Sequence, residues 1–287
     1  MPECFFTSDL HGRLDRYERL LSLVRRERPR ALFLGGDLLP SGALLWSPGA
    51  PSSRDFVTDV LVAEFARLRD DLRDAFPRVF LILGNDDPRS EEEAVIAGAT
   101  RGLWEYVHGI SVEFEARRVY GYACVPPTPF RLKDWERYDV SRYVDPGCVP
   151  PEEGSLSLHV PREEIVRSTI AEDLDALVGS DDLSAAIFLF HSPPYETALD
   201  RAALDGKMID HVPLDPHVGS IAIRRFIETR QPLITLHGHV HESTGITGRW
   251  RESLGRTCMF QGAHDGPEVA VVRFDPDAPQ GAIRILV

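Results

Sequence analysis

Five times along this chain a short apolar run stops at residues able to hold a metal ion. Phe5-Phe6-Thr7-Ser8 leads into Asp9-Leu10-His11, and Leu32-Phe33-Leu34 into Gly35-Gly36-Asp37. Phe80-Leu81-Ile82-Leu83 leads into Gly84-Asn85-Asp86-Asp87, and Ile187-Phe188-Leu189-Phe190 into His191. Last, Leu233-Ile234-Thr235-Leu236 leads into His237-Gly238-His239-Val240-His241. Short apolar runs bounded by turn formers read as buried strands. Strands that all end in carboxylate, amide or imidazole groups point to a sheet with its functional loops at one edge. Along extended backbone, residues i and i+2 project to the same side, so Asp9 with His11, and His239 with His241, can each face one cleft. Glycines at 35, 36, 84 and 238 keep side-chain bulk away where the chain must turn close to an ion.

Taken singly, most of these blocks are ordinary. Asp-x-His and Gly-Asp are common turn chemistry, and one histidine after a strand is more often a cap than a ligand. The run His237, His239, His241 is different, because crowded imidazoles repel one another when protonated and need a reason to coexist. Five blocks in this order, each at a strand end, read as one site.

The segments between them fit a layered α/β (α+β) fold. Spacing predicts helices over Leu14–Arg28, Asp55–Phe76, Arg162–Val178 and Gly219–Thr229, with Pro161, Glu163 and Glu164 favouring the start of the third. Val112-Glu113-Phe114 and Val119 to Tyr122 read as paired strands, and Val269–Phe274 and Ala282–Leu286 as two more. Residues 39–54, rich in Pro, Gly and Ser, read as a loop. Residues 124–161 carry prolines at 126, 127, 129, 146, 150, 151 and 161 among Trp135, Tyr138 and Tyr143. A stretch that long without periodicity is usually functional or mobile. The simplest partition is a single domain over 1–287, with this insertion or lid at about 124–161.

Charge narrows the partners. With 32 basic against 45 acidic side chains the net charge is −13, which argues against nucleic acid bound across the whole surface and against a nuclease. A cleft whose sign is changed by bound cations can still attract a phosphate. No apolar run approaches the ~20 residues that span a bilayer, so no membrane partner is expected. The opening residues lack a basic stretch followed by an apolar one, and the four cysteines form no CxxC pair. The expectation is a cytoplasmic protein with reduced thiols.

The five blocks resemble the calcineurin-like metallophosphoesterase superfamily, whose pattern is Asp-x-His, Gly-Asp, Gly-Asn-x-(Asp/Glu), a strand-end His and Gly-His-x-His. The resemblance spans residues 9–241, and the segment from His217 to Gln231 is similar to the helix before the last motif in bacterial members. It implies a β-sandwich flanked by helices, four layers in the order αββα. It also implies two divalent or mixed-valence metal ions. Asp9, His11 and His241 would hold one, Asn85, His191 and His239 the other, and Asp37 would bridge them. A nitrogen and oxygen set without thiolate suits manganese, zinc or iron, and four imidazoles among seven ligands do not make a calcium cage.

The implied activity is hydrolysis of a small phosphate ester by a hydroxide bridging the two ions, which also neutralise the phosphoryl oxygens. Asn85 is neutral, leaves positive charge for the substrate, and has an amide N–H to offer a phosphoryl oxygen. One departure matters. Many family members have His directly after this Asn, placed to protonate the leaving group; here Asp86 stands there. It could serve as the acid if burial or the adjacent Asp87 raised its pKa; otherwise it bonds a loop, and His217, His237 or His264 would have to supply the proton. The substitution leans the reading toward phosphodiesters, nucleotide-like ones included. A phosphomonoesterase or nucleotide pyrophosphatase would use the same ligands, and the alternative of another class is a non-catalytic metal-binding interaction module. Trp135, Tyr138 and Tyr195 offer faces on which a flat substrate group can stack, with His217 a further substrate contact. Arg131, Lys133, Arg137 and Arg142 offer charge for extra phosphates. Against this stands a proline-stiffened lid that packs its own aromatics.

Overall fold

The computed structural model describes residues 3–40 and 56–287. Among the described residues, eleven strands of four to six residues and three of two residues form two six-stranded sheets and a small hairpin. β1 (Cys4–Thr7), β2 (Ala31–Gly35), β3 (Arg78–Ile82) and β4 (Glu105–Tyr106) run parallel in the first sheet. β5 (Ser111–Phe114) and β6 (Arg117–Tyr122) form the antiparallel pair expected from the sequence, and β6 continues parallel to β7 (Ile187–Phe190) in the second sheet. β8 (Met208–Ile209) and β9 (Val212–Pro213) make the hairpin. β10 (Ile234–His237) lies parallel between β7 and β12 (Thr257–Gln261), with β11 (Arg251–Leu254) antiparallel at the edge. β13 (Ala270–Phe274) lies antiparallel to β1, and β14 (Ile283–Leu286), antiparallel to β13, closes the first sheet.

The inner strands β1, β2, β3, β7 and β10 are buried without alternation because both faces of each sheet are covered there. Between the sheets, Phe33 of β2 and Phe80 of β3 meet Phe114 of β5, and Phe260 of β12 meets Phe274 of β13. Outside the second sheet, Phe188 and Phe190, two residues apart on β7, both pack on Phe226 of the helix Ile221–Arg230. The helix Leu14–Glu27 packs beside Ala63–Leu72, the other outer layer. Two sheets between two helical layers are the expected αββα arrangement.

Two predicted helices differ from the expectation. The stretch Arg162–Val178 forms two helices, Arg162–Arg167 and Ile170–Val178. Ser168 is extended, and the Thr169 hydroxyl accepts from Glu172 N, a Thr-x-x-Glu capping box that starts a new helix where the periodicity suggested continuity. The segment from Phe56 opens with a π-helical stretch, Phe56–Val62, before the α-helix Ala63–Leu72 and a closing 3₁₀ turn at Arg73–Ala75. From position 41 the loop expected at 39–54 lies outside the described residues, as does Asp55.

Residues 124–161 carry little regular structure; Trp135 and Tyr138 pack inward, while Phe130 and Tyr143 are exposed. Trp135 is 1% exposed and Tyr138 2%. The Trp135 indole donates to the Asp87 carbonyl at 2.8 Å, and the Tyr138 hydroxyl bonds Glu152 at 2.7 Å. Buried rings offer no face to a ligand, so stacking of a substrate on Trp135 or Tyr138 is ruled out by the packing. Lys133 is likewise sealed against Glu136 and does not meet a phosphate. Further along, Asp139 reaches the start of Ile221–Arg230, accepting from Ser220 Oγ, Ile221 N and Ala222 N. A carboxylate at a helix N-terminus satisfies orphan amides and complements the dipole, which ties this segment to the second sheet's outer layer.

Candidate metal centre

The C-terminal ends of β1, β2, β3, β7 and β10 meet at one edge of the sandwich, and the loops are fixed there by backbone bonds. Asp9 N donates to Gly36 O at 3.0 Å and His11 N to Asp37 O at 2.8 Å, so the first two blocks run side by side. Gly238 N donates to His191 O at 2.9 Å, joining the last two. Asp9, His11, Asp37 and His239 have positive φ of 59°, 49°, 51° and 71°. Non-glycine residues adopt this left-handed region at a cost of about 1–3 kcal/mol each, and such strain gathers at functional sites. A side chain at Gly84 would strike Asp37 and His191, which accounts for the glycine there.

The donor atoms fall into two groups that share one residue. Atoms of Asp9, His11, Asp37 and His241 lie within 4.8 Å of one another, as do those of Asp37, His191 and His239. Asn85 joins the second group, its Oδ1 3.0 Å from His191 Nε2. His191 Nε2 is also 3.3 Å from Asp37 Oδ2. In the first group His11 Nε2 and His241 Nε2 face each other at 3.1 Å, and His241 Nε2 is 3.1 Å from Asp9 Oδ1. All seven residues named from the strand-end blocks therefore converge.

The surrounding bonds fix which nitrogens are free to act as ligands. His191 Nδ1 donates to the Gly35 carbonyl at 2.8 Å, so the neutral ring carries its lone pair on Nε2, facing the cluster. His11 Nδ1 lies 3.3 Å from Asp86 Oδ2, a carboxylate that holds this ring the same way round. His239 is pushed down to about 4 by burial and the neighbouring His191, and so stands as neutral imidazole.

The electrostatics call for a cation. Burial pulls the His11 and His191 pKa values down, yet hydrogen bonds and charge from Asp86, Asp37 and Asp9 at His11, and from Asp37 and Asp9 at His191, lift both to about 9. Burial likewise works to raise Asp37, and His191 with His11 outweighs it, holding the carboxyl below the usual range. Where buried carboxylates draw protons onto their imidazole neighbours, positive charge is missing from the centre. The donors, four imidazoles, two carboxylates and an amide without thiolate, fit hard-to-borderline divalent metal ions.

The remaining sequence candidates divide. Asp86 sits at the rim, its side chain 37% exposed. Its neighbour Asp87 turns inward and accepts from Leu38 N, Leu39 N and Gly84 N at 3.1, 2.7 and 2.8 Å, stapling the β2 and β3 loops together. His237 is fully buried between Ser192 O and Thr235 Oγ1 and has no route to a substrate. His264 bonds Glu268 at 3.3 Å. Tyr195 and His217 come together, ring centroids 6.0 Å apart, on a separate cavity that none of the seven cluster residues lines.

One supporting residue had no sequence signal. Arg16, 6% exposed, donates to the Asp9 and Gly266 carbonyls at 2.6 Å each and so fixes the strained Asp9 backbone. A basic residue on a helix looks like a solvated one until the fold buries it.

Fold and cluster together define a two-sheet α/β protein with two donor groups, sharing one carboxylate and fit for metal binding, at one edge of the sandwich. Residues 4–243 match the calcineurin-like phosphoesterase family, and the chain belongs to that family of hydrolases. Among solved structures it is similar to TT1561 of Thermus thermophilus, with 17% identity, a TM-score of 0.57, and coverage of 99% of this chain and 98% of the other. A second crystal structure has 16% identity and a TM-score of 0.58, covering 100% and 99%. An archaeal phosphodiesterase has 10% identity and a TM-score of 0.46, covering 99% of each chain. The first two likenesses show the fold. Among curated proteins none matches this chain. No helix among the described residues is long and apolar enough to cross a membrane.

Proposed function

We propose that this chain hydrolyses small phosphate esters with two divalent metal ions, and prefers diesters. The observation that carries the reading is Asp37, whose carboxylate belongs to both donor groups. Asp9, His11 and His241 would hold one ion, and Asn85, His191 and His239 the other. Manganese, zinc and iron all suit this set. Bound there, two such ions supply charge to neutralise phosphoryl oxygens and to acidify water.

The chain's own residues do the rest. Asp37 has a lone-pair-rich oxygen for each side of the centre, which an amide in its place would not match. Asn85 turns Oδ1 into the cluster beside the lone pair of His191 Nε2, where both would be ligands, and keeps its NH₂ group to donate to a phosphoryl oxygen. Asp86 stands where many family members have the histidine that protonates a leaving group. A rim carboxylate bonded to His11 serves that role less readily than an imidazole, which supports the preference for diesters. The four cysteines are unpaired, in keeping with a reducing, cytoplasmic setting. The whole chain is read as one domain, with 124–161 as an insertion that walls the substrate side.

The test is turnover of bis-p-nitrophenyl phosphate and p-nitrophenyl phosphate by Mn²⁺-loaded protein, with bound metal counted in the native chain and in Asp37→Asn. The expected result is faster diester turnover, two ions per chain, and loss of both in the variant. Faster monoester turnover would overturn the diester preference alone. Absence of metal-dependent turnover would favour the binding-module reading.

A further inference from the structure

A cavity of ≈ 400 Å³ opens between residues 126–148 and the loop 195–221. Its two walls begin just past the C-terminal ends of β6 and β7, the sheet end that carries His191. Tyr195 is four residues beyond His191, so chain length alone keeps the two within about 14 Å. A phosphate ester seated at the metal centre has one arm free to turn toward this same sheet end.

The lining has a definite chemistry. Pro126, Pro127, Pro129, Leu204 and Leu214 give it apolar surface, and Tyr143 and Tyr195 give it aromatic rings. Asp145 and Asp215 are both in the wall, while no Lys or Arg is. Arg142, which the sequence suggested for extra phosphates, pairs with Glu152 outside this cavity. Asp139 also lines the space, but its carboxylate is taken up by the helix cap described above. The Asp215 carboxylate accepts from Tyr195 Oη at 2.6 Å and His217 N at 2.8 Å, which orients it and leaves its charge uncompensated. Asp145 has no ion-pair partner among the described residues, and burial together with the Asp215 charge raises its pKa.

An arm bearing another phosphate or a carboxylate would meet this negative wall without a counter-charge. A strongly hydrated small cation would lose water to a surface that is mostly apolar. A methyl-rich ammonium satisfies both conditions, since its charge is spread over apolar groups and is attracted by ring faces as well as carboxylates. We propose that this cavity holds one ester arm of the substrate and selects an arm carrying a substituted ammonium group. The selection rests on the phosphoesterase reading for its location and on the lining for its sign.

Two esters with the same p-nitrophenyl leaving group separate charge from shape: p-nitrophenyl phosphorylcholine, and its isostere with a tert-butyl group in place of trimethylammonium. The choline ester should be hydrolysed with kcat/KM about tenfold higher or more. In Asp145→Asn/Asp215→Asn that ratio should fall toward one. Direct titration supplies the second readout: choline should bind metal-free protein at least about tenfold more tightly than 3,3-dimethylbutanol. Equal kcat/KM for the two esters, or equal binding of the two alcohols, overturns the cavity's charge selection. Selective choline binding without hydrolysis of either ester overturns the phosphoesterase reading and leaves the cavity's preference standing.

Discussion

Replacing Lys133 by Met would expose how the 124–161 segment is held. The Lys133 and Glu136 side chains are both 0% exposed, with Nζ 2.5 Å from Oε2. Nζ also donates to the Thr128 carbonyl at 2.8 Å, and Glu136 accepts from Thr128 N at 2.8 Å and Thr128 Oγ1 at 2.5 Å. Removing the ammonium leaves a buried carboxylate with hydrogen bonds but no cation, a change that costs about 3–5 kcal/mol. The carboxyl can escape that cost by taking up a proton. Burial already lifts Glu136 to about 7 against the pull of Lys133, so losing Lys133 lifts it further. A folded-state pKa raised above the unfolded 4.5 gives stability that is full below 4.5 and lost as pH rises through the folded value. The native chain therefore stops losing stability from this group near pH 7, whereas Lys133→Met continues at about 1.4 kcal/mol per pH unit. Burial lowers Lys133 in the native pair, which adds stability toward alkaline pH and widens the gap. Urea unfolding at pH 7 and pH 9 should show the native-to-variant gap growing, by at most about 3 kcal/mol from the carboxyl. Lys133→Met/Glu136→Gln should remove most of that growth. A gap equal at both pH values would refute the buried-charge argument and leave lost packing as the cause.

Two further substitutions probe the site and its support. In Asp86→Asn, hydrolysis of alkyl esters should fall about 100-fold if Asp86 protonates the leaving group, while p-nitrophenyl esters, whose leaving group needs no proton, change little. An equal fall for both would assign Asp86 to orienting His11 instead. Trp135→Phe deletes the indole bond to the Asp87 carbonyl, which should cost about 1 kcal/mol in urea unfolding with KM unchanged, because the ring is buried. A raised KM would place Trp135 against substrate and contradict the packing.

The donor cluster was legible because its seven residues sit at the ends of five buried strands, where an apolar run and its terminating residues are adjacent in sequence. Only the meeting of strand ends is long-range, and the parallel sheets supply it. A layered fold followed from the same runs, since strands apolar throughout need cover on both faces, while the αββα order came with the family resemblance. The capping box at Thr169 was present in the sequence too, but helical periodicity masked it. What stayed hidden depended on which way a side chain turns inside irregular backbone. Trp135 and Lys133 look like substrate contacts by composition, and a stretch without a repeat gives no phase from which to predict burial. Asp86 and Asp87 are neighbours with opposite fates, one at the rim against His11 and one buried under three amides. The cavity makes the same point about charge. Arg131, Lys133, Arg137 and Arg142 suggested phosphate contacts from the sequence, whereas the residues turned into the cavity from that stretch and from 195–221 leave a wall of carboxylates and rings. Which side chains of the segment face the cavity, and not which ones it contains, sets the sign a substrate arm would meet there.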